Sequence, residues 1–273
     1  MPAEFFNRWV MLMTTESMAL SQDAIDILEG VTTATITTLL LKKGLRNVWM
    51  RGTRPLRTGQ GRRVGRAFTL RFVPAREDLA TPESWSSPIS TRAAIEAMPA
   101  GCIAVADAMG VIDAGIFGDI LCARMQKRGV AGLVSDGVVR DQAGVLSTGL
   151  PVWCQGAAAP PSVAGLTFVG WQQAIGCGGV AVFPNDVVLV DDDGAVLIPQ
   201  AMLDSVLSEA PEQERLEAWI MWRRSIAGPH YRDFIHPMPN KKRATRRNAW
   251  QNKIWVGGLE PESVLDWPFS KSE

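Results

Sequence analysis

Histidine is nearly missing from this chain: two residues, His230 and His236, in 273, and both lie in the last fifth of the sequence. A core without histidine excludes a Ser-His-Asp or Cys-His nucleophile and a multi-histidine metal centre. Cysteine is scarce too, with single residues at 102, 122, 154 and 177 and no Cys-x-x-Cys pair. That excludes a zinc knuckle or a redox dithiol, and the apolar surroundings predict buried free thiols. Net charge is absent, since 28 basic residues balance 28 acidic ones. No global field therefore draws the protein to nucleic acid or to an anionic membrane; a nucleic-acid role would need a local patch, for which the basic run "KKRATRR" near the end is the one candidate, though such a run is usually a solvated face. Long apolar runs are lacking as well: none approaches the roughly 18 residues of a membrane helix. The run Val10 to Met13 is too short for a signal-peptide core and is followed by Glu16. A soluble, cytoplasmic protein is expected, and any metal should be held by carboxylates, which selects magnesium or manganese.

What is present is patterned apolar sequence, 47% of the chain against 21% charged, enough for one compact domain with extensions. Residues 1–20 carry four methionines without a period and read as a flexible leader; the domain is expected over 21–228, and 229–273 as a C-terminal extension. Ser21 can cap a helix through "QDAIDILEGVTTATITTLLLKK" that stops at Gly44, weakened in its middle by Gly30. "GRAFTLRFVP" alternates like a half-buried strand, Ser90 and Thr91 open a short helix to Met98, and "CIAVADA" reads as a buried strand. Phe117, Ile120, Leu121 and Met125 predict an apolar helical face ended by Gly129. The strand Val130 to Val134 then runs into a loop holding Asp136-Gly137 and Arg140-Asp141. A short helix to Gly149 and a strand at Pro151 to Cys154 follow. "GCGG" at 176–179 reads as a turn, and "VAVFPNDVVLVDDDGAVLIP" as a meander able to form a second sheet layer. Last comes a helix from about Ala201 to Arg224 that Pro211 should kink or split.

Asp119, followed after twenty residues by Arg140-Asp141, is the arrangement that carries chemistry. Together with "GDIL", "RGVAGLVSDGVVRD", "GLPVW" and "PNDVVLVDDDGAVLIP" in this order, it resembles the RraA-like class II pyruvate aldolases, over roughly residues 21–226. That family includes 4-hydroxy-4-methyl-2-oxoglutarate aldolase and 4-carboxy-4-hydroxy-2-oxoadipate aldolase. The other Arg-Asp pair, Arg232-Asp233, has Pro211 at the matching upstream position.

The resemblance implies a layered α/β fold, a swivelling β/β/α domain, assembled as a trimer or hexamer with sites between subunits. It implies metal-dependent cleavage of a 4-hydroxy-2-oxo acid with release of pyruvate, and oxaloacetate decarboxylation through the same enolate. Asp141 would bind the magnesium or manganese ion directly and Asp119 through a water. Arg140 would face the developing oxyanion, and the amides of Gly118, Asp119, Ile120 and Leu121 the substrate carboxylate. A glutamate from the adjacent subunit's C-terminal helix would complete the outer shell; Glu212, Glu214 and Glu217 are available, with Glu217 favoured. The same fold also includes RraA itself, a regulator that binds a ribonuclease. Regulators resemble this chain at Arg-Asp but lack the upstream acid, so Asp119 favours the enzyme.

Overall fold

The computed structural model describes residues 19–227, with side chains through 222. Residues 1–18 of the expected leader over 1–20, and the whole extension over 229–273, lie outside the described residues. In chain order the helices are α1 (Gln22–Glu29), α2 (Thr33–Lys42), α3 (Thr91–Ala97), α4 (Asp119–Lys127), α5 (Gln142–Ser147) and α6 (Leu203–Ala227). The strands are β1 (Trp49–Met50), β2 (Arg54–Pro55), β3 (Arg63–Pro74), β4 (Ile103–Asp107), β5 (Gly132–Ser135), β6 (Val152–Cys154), β7 (Leu166–Trp171), β8 (Ile175–Cys177), β9 (Val180–Val182), β10 (Val187–Asp191) and β11 (Gly194–Ile198).

Strand β3 organises the sheet because its length serves several partners. Its first residues pair antiparallel with β10, its middle pairs parallel with β4, and its end pairs antiparallel with β7 across a register shift at Arg71 and Phe72. The sheet order is β1-β11-β10-β3-β4-β5-β6-β2. Strands β1 and β2 are only Arg51, Gly52 and Thr53 apart, so this turn draws the two ends of the sheet together. Thr53 locks it, its hydroxyl donating to the Met50 carbonyl and accepting from the Ala195 amide.

Period-2 alternation then sorts side chains into layers. Ile103, Val105, Val134, Trp153, Val188, Val190, Ala195 and Leu197 fill the space between the sheet's two halves, with Ile175, Cys177, Val180 and Val182 from the β8–β9 hairpin. Their neighbours Ala104, Ala106, Leu133, Val152 and Cys154 point the other way, onto Ile95, Cys122, Met125 and Val145 of α3, α4 and α5. Val187, Leu189, Val196 and Ile198 face Leu28, Ile36, Leu40 and Val206 of α1, α2 and α6. Two sheet layers are thus flanked by a helical layer on each side, the layered α/β class expected from the sequence. The strands of the parallel half are buried on both faces, which is why they read as unbroken apolar runs.

Three local expectations change. The first helix is two, because Gly30 caps α1 and Thr32 caps α2 through its hydroxyl and the Thr35 amide, with a 99° bend between them. A glycine followed by a threonine that can satisfy a free amide makes a new start cheaper than continuation. The pair matches a membrane span in length and composition, but no single helix among the described residues does. In the meander, β9 pairs with β8 rather than with β10, through a turn at Gly178 and Gly179, both at positive φ. Finally, Pro211 neither splits nor ends α6. Burial of Val206 and Ala210 before it, and bonds from Thr32 and Thr35 to Glu214 and Glu217 after it, hold the helix across the one lost hydrogen bond, whose cost is about 3 kcal/mol.

The chain divides into a unit ending at Glu217 and a second beginning at Ala218. Of the second, the described part is the final turns of α6, which expose Met221.

Candidate active site

Parallel strands β4, β5 and β6 end on the same side of the sheet, and in open α/β sheets ligands bind off such strand ends. The segment after β5 is laid out between the segments after β4 and β6. Ile116 N–H donates to the Val138 carbonyl at 2.9 Å and Arg140 N–H to the Phe117 carbonyl at 2.9 Å. On the other side Gln155 N–H donates to the Gly137 carbonyl at 2.8 Å and Val139 N–H to the Gly156 carbonyl at 3.0 Å. Val138 and Val139 are buried and anchor this run. Its next two residues, Arg140 and Asp141, therefore emerge at the start of α4.

Three glycines make the resulting approach possible. A Cβ on Gly118 would lie 3.0 Å from Asp141 Oδ2 and 3.2 Å from Arg140 Cγ, and one on Gly115 would lie 2.7 Å from both Cβ and the backbone N of Arg140. A Cβ on Gly144, in α5, would lie 2.7 Å from Asp119 Cβ and 3.0 Å from its Oδ2. Asp119, Arg140 and Asp141 are thus packed into one corner between the starts of α4 and α5. Arg140 Nε donates to Asp141 Oδ2 at 3.1 Å, with the side chains 36% and 49% exposed, so the pair is held yet open to a ligand. Asp141 caps α5 in the left-handed region, at φ 52° and ψ 48°. Non-glycine residues are uncommon there, and aspartate is among the few that tolerate it, because its short polar side chain can hydrogen-bond locally.

The helix start differs in detail from expectation. Ile120 is 79% exposed, so the buried face of α4 is Cys122 and Met125 with Leu121 half-buried. Residues 122 and 125 lie three apart on one side of the helix, while 120 falls outside that stripe. The Ile120 amide donates to Asp119 Oδ1 at 2.7 Å, which fixes the carboxylate but leaves one first-turn amide fewer for a substrate. Glu217 accepts from the Thr35 hydroxyl and from Gln213, and Glu214 accepts from the amide and hydroxyl of Thr32. Glu212 faces Arg215 at 4.0 Å. Glu214 and Glu217 therefore meet the α1–α2 layer of their own chain, across the sheet from the Asp119 corner.

Among the described residues no three His, Cys, Asp or Glu side chains form a ready metal cage. Two carboxylates beside an arginine still fit magnesium or manganese, which commonly take one or two protein carboxylates and leave other positions to water and substrate. The thiols supply no alternative chemistry: burial pushes Cys102 and Cys122 up to about 12 and raises Cys154 and Cys177 as well.

Sequence reasoning missed Gly115 and Gly144. Inside "QAGVLS", Gly144 reads only as a weak helix position; the signal would have been that a glycine kept in a helix usually marks close packing. We expect Gly144→Ala to push Asp119 out of place, lowering stability by about 1–3 kcal/mol and activity with it. Thermal melts and turnover on the same sample check this; an unchanged melt and rate would mean that the contact is loose.

These features place the chain in a defined class of layered α/β proteins. It belongs to the RraA-like family, whose model, described as Aldolase/RraA, matches residues 26–197. Over 124 residues the chain is 33% identical to a Halalkalibacterium halodurans protein named "Putative 4-hydroxy-4-methyl-2-oxoglutarate aldolase", covering 45% of this chain and 58% of that one. Over 146 residues it is 28% identical to protein DlpA of Legionella pneumophila, covering 54% of this chain and 23% of that one. The match thus spans little more than half of one curated relative and under a quarter of the other. Among solved structures, Streptomyces coelicolor RraAS2, described as an unusual member of the RNase ES inhibitor RraA protein family, aligns with a TM-score of 0.67 at 31% identity, over 76% of this chain and 99% of that one. A Pseudomonas syringae protein with a TM-score of 0.67 at 24% identity shares the fold.

Proposed function

We propose that this protein is a divalent-metal-dependent carbon–carbon lyase that cleaves a 4-hydroxy-2-oxo acid to release pyruvate, with oxaloacetate decarboxylation as a side activity. One observation carries this reading: glycine cradles bring Asp119 to Arg140 and Asp141 across twenty intervening residues. Asp141 would hold the magnesium or manganese ion directly and Asp119 would do so through a water. When bound, the ion supplies Lewis-acid polarisation of the 2-oxo group. Arg140 spends Nε on Asp141 and keeps its remaining N–H groups for the oxygen on which charge develops as the bond breaks. The start of α4 orients the substrate carboxylate. A water held by the carboxylates takes the proton of the C4 hydroxyl.

A coupled pyruvate-release assay over a panel of 4-hydroxy-2-oxo acids tests the reading. Activity should vanish in excess chelator and return with magnesium or manganese better than with zinc. Full turnover in chelator would overturn the metal dependence. A second reading, a ribonuclease-binding regulator without catalysis, draws support from the likeness to RraAS2; ribonuclease inhibition without pyruvate release on any substrate would establish it.

We also propose the domain division 1–20, 21–228 and 229–273, and a trimer or hexamer in which Glu217 of α6 serves a neighbouring subunit's site. Sedimentation should show such an assembly, and an active monomer would exclude a shared site.

A further inference from the structure

Asp136 is a buried carboxylate, 5% exposed, for which the chemistry above has no use. The groups acting on it are backbone amides and Asp107, with no cation among them. Burial pushes its carboxyl above the usual range, and the Gly178 and Ala108 amides pull it partway back. Such a group is costly to keep unless its hydrogen bonds do something an apolar side chain cannot.

What they do is tie together the segments that build the site. Asp136 Oδ1 accepts from Ala108 N–H at 2.8 Å, at the head of the segment that ends on Gly118 and Asp119. Its own backbone heads the segment that ends on Arg140 and Asp141, and its carbonyl accepts from Gln155 Nε2 at 2.6 Å, just after β6. Asp136 Oδ2 accepts from Gly178 N–H at 3.0 Å, at the tip of the β8–β9 hairpin. Both carboxylate oxygens are thus spent on different segments. Downstream, the two site-bearing segments are joined by the Ile116–Val138 and Arg140–Phe117 bonds, so a shift at their common origin propagates to both halves of the site.

We propose that Asp136 is a positioning residue that sets Asp119 against Arg140 and Asp141 while touching neither substrate nor metal. The kinetic side rests on the lyase reading; the spectroscopic side does not. Asp136→Asn keeps size but offers one acceptor where two amides need one each, and Gln155→Met disturbs the same joint while keeping a side chain of similar length. In folded protein at 25 °C, each should lower kcat by about tenfold or more with a smaller change in KM, because small misplacements of reacting groups are costly. Independently, the Arg140 Nε–H signal in arginine-labelled protein, assigned by its loss in Arg140→Lys, should shift in both variants as the bond to Asp141 changes. If a folded variant melts earlier yet keeps the parental kcat and Arg140 signal, the role is purely structural and the proposal is wrong. Should Asp136→Asn fail to fold, Asp136→Glu, which keeps the charge but displaces the carboxylate from the Ala108 and Gly178 amides, decides by the same two readouts. Should the parent release no pyruvate, the lyase reading falls and the Arg140 signal alone decides this one.

Discussion

Replacing Arg140 by lysine is expected to cut kcat/KM by about two to three orders of magnitude while leaving the fold intact. Lysine keeps the charge, but the geometry here asks for more than charge. Arg140 satisfies Asp141 Oδ2 through Nε, and in the proposed reaction it would also present donors to the substrate, a division of labour possible for a planar fork. An ammonium on a flexible stem can serve one partner well or two poorly. The side chain is 36% exposed, so the structural cost of the change is small and a melt should barely move. Kinetics on the folded variant should show kcat falling more than KM rises, the mark of an interaction made chiefly in the transition state. Near-parental turnover would remove Arg140 from the chemistry.

The elements around this residue were legible in the sequence because each is buried in a simple way. The strands beginning at Ile103 and Gly132 are covered on both faces, and the helix starting at Asp119 follows a glycine and ends before Gly129. Local patterns fail where distant packing decides. Nothing near Pro211 reveals that Thr32 and Thr35 will hold the helix on its far side, and nothing in "MRGTRP" reveals that its turn joins two edge strands whose partners, such as Val196 for Trp49 and Cys154 for Arg54, lie far along the chain. Ile120 misled for a different reason: it is apolar, yet it follows Asp119 in the first turn on the side of the helix away from Cys122 and Met125 and is exposed. Spacing together with the flanking segments brought Asp119, Arg140 and Asp141 to attention, but the packing around them, at Gly115, Gly118 and Gly144, depends on backbone approach distances that no periodicity encodes.

Asp141 is where the backbone and the chemistry make separate demands, and that permits a clean experiment. The residue sits at φ 52°, ψ 48°, a region that asparagine and aspartate tolerate and that costs alanine roughly 1–2 kcal/mol. Asp141→Ala would therefore mix backbone strain with loss of the carboxylate, whereas Asp141→Asn keeps the conformation and an oxygen for Arg140 while removing the charge. Asp141→Asn is expected to melt near the parent and to lose almost all activity at ordinary magnesium. Its manganese affinity, read by electron paramagnetic resonance, should weaken by more than about 100-fold, since even outer-shell partners are worth roughly 10–100-fold. Asp119→Asn, one water removed from the ion, should bind manganese better than Asp141→Asn does. If Asp141→Asn binds manganese as the parent does and turns over normally, the metal is held elsewhere. If instead the order of the two variants is reversed, Asp119 is the direct ligand and the roles of the two carboxylates exchange.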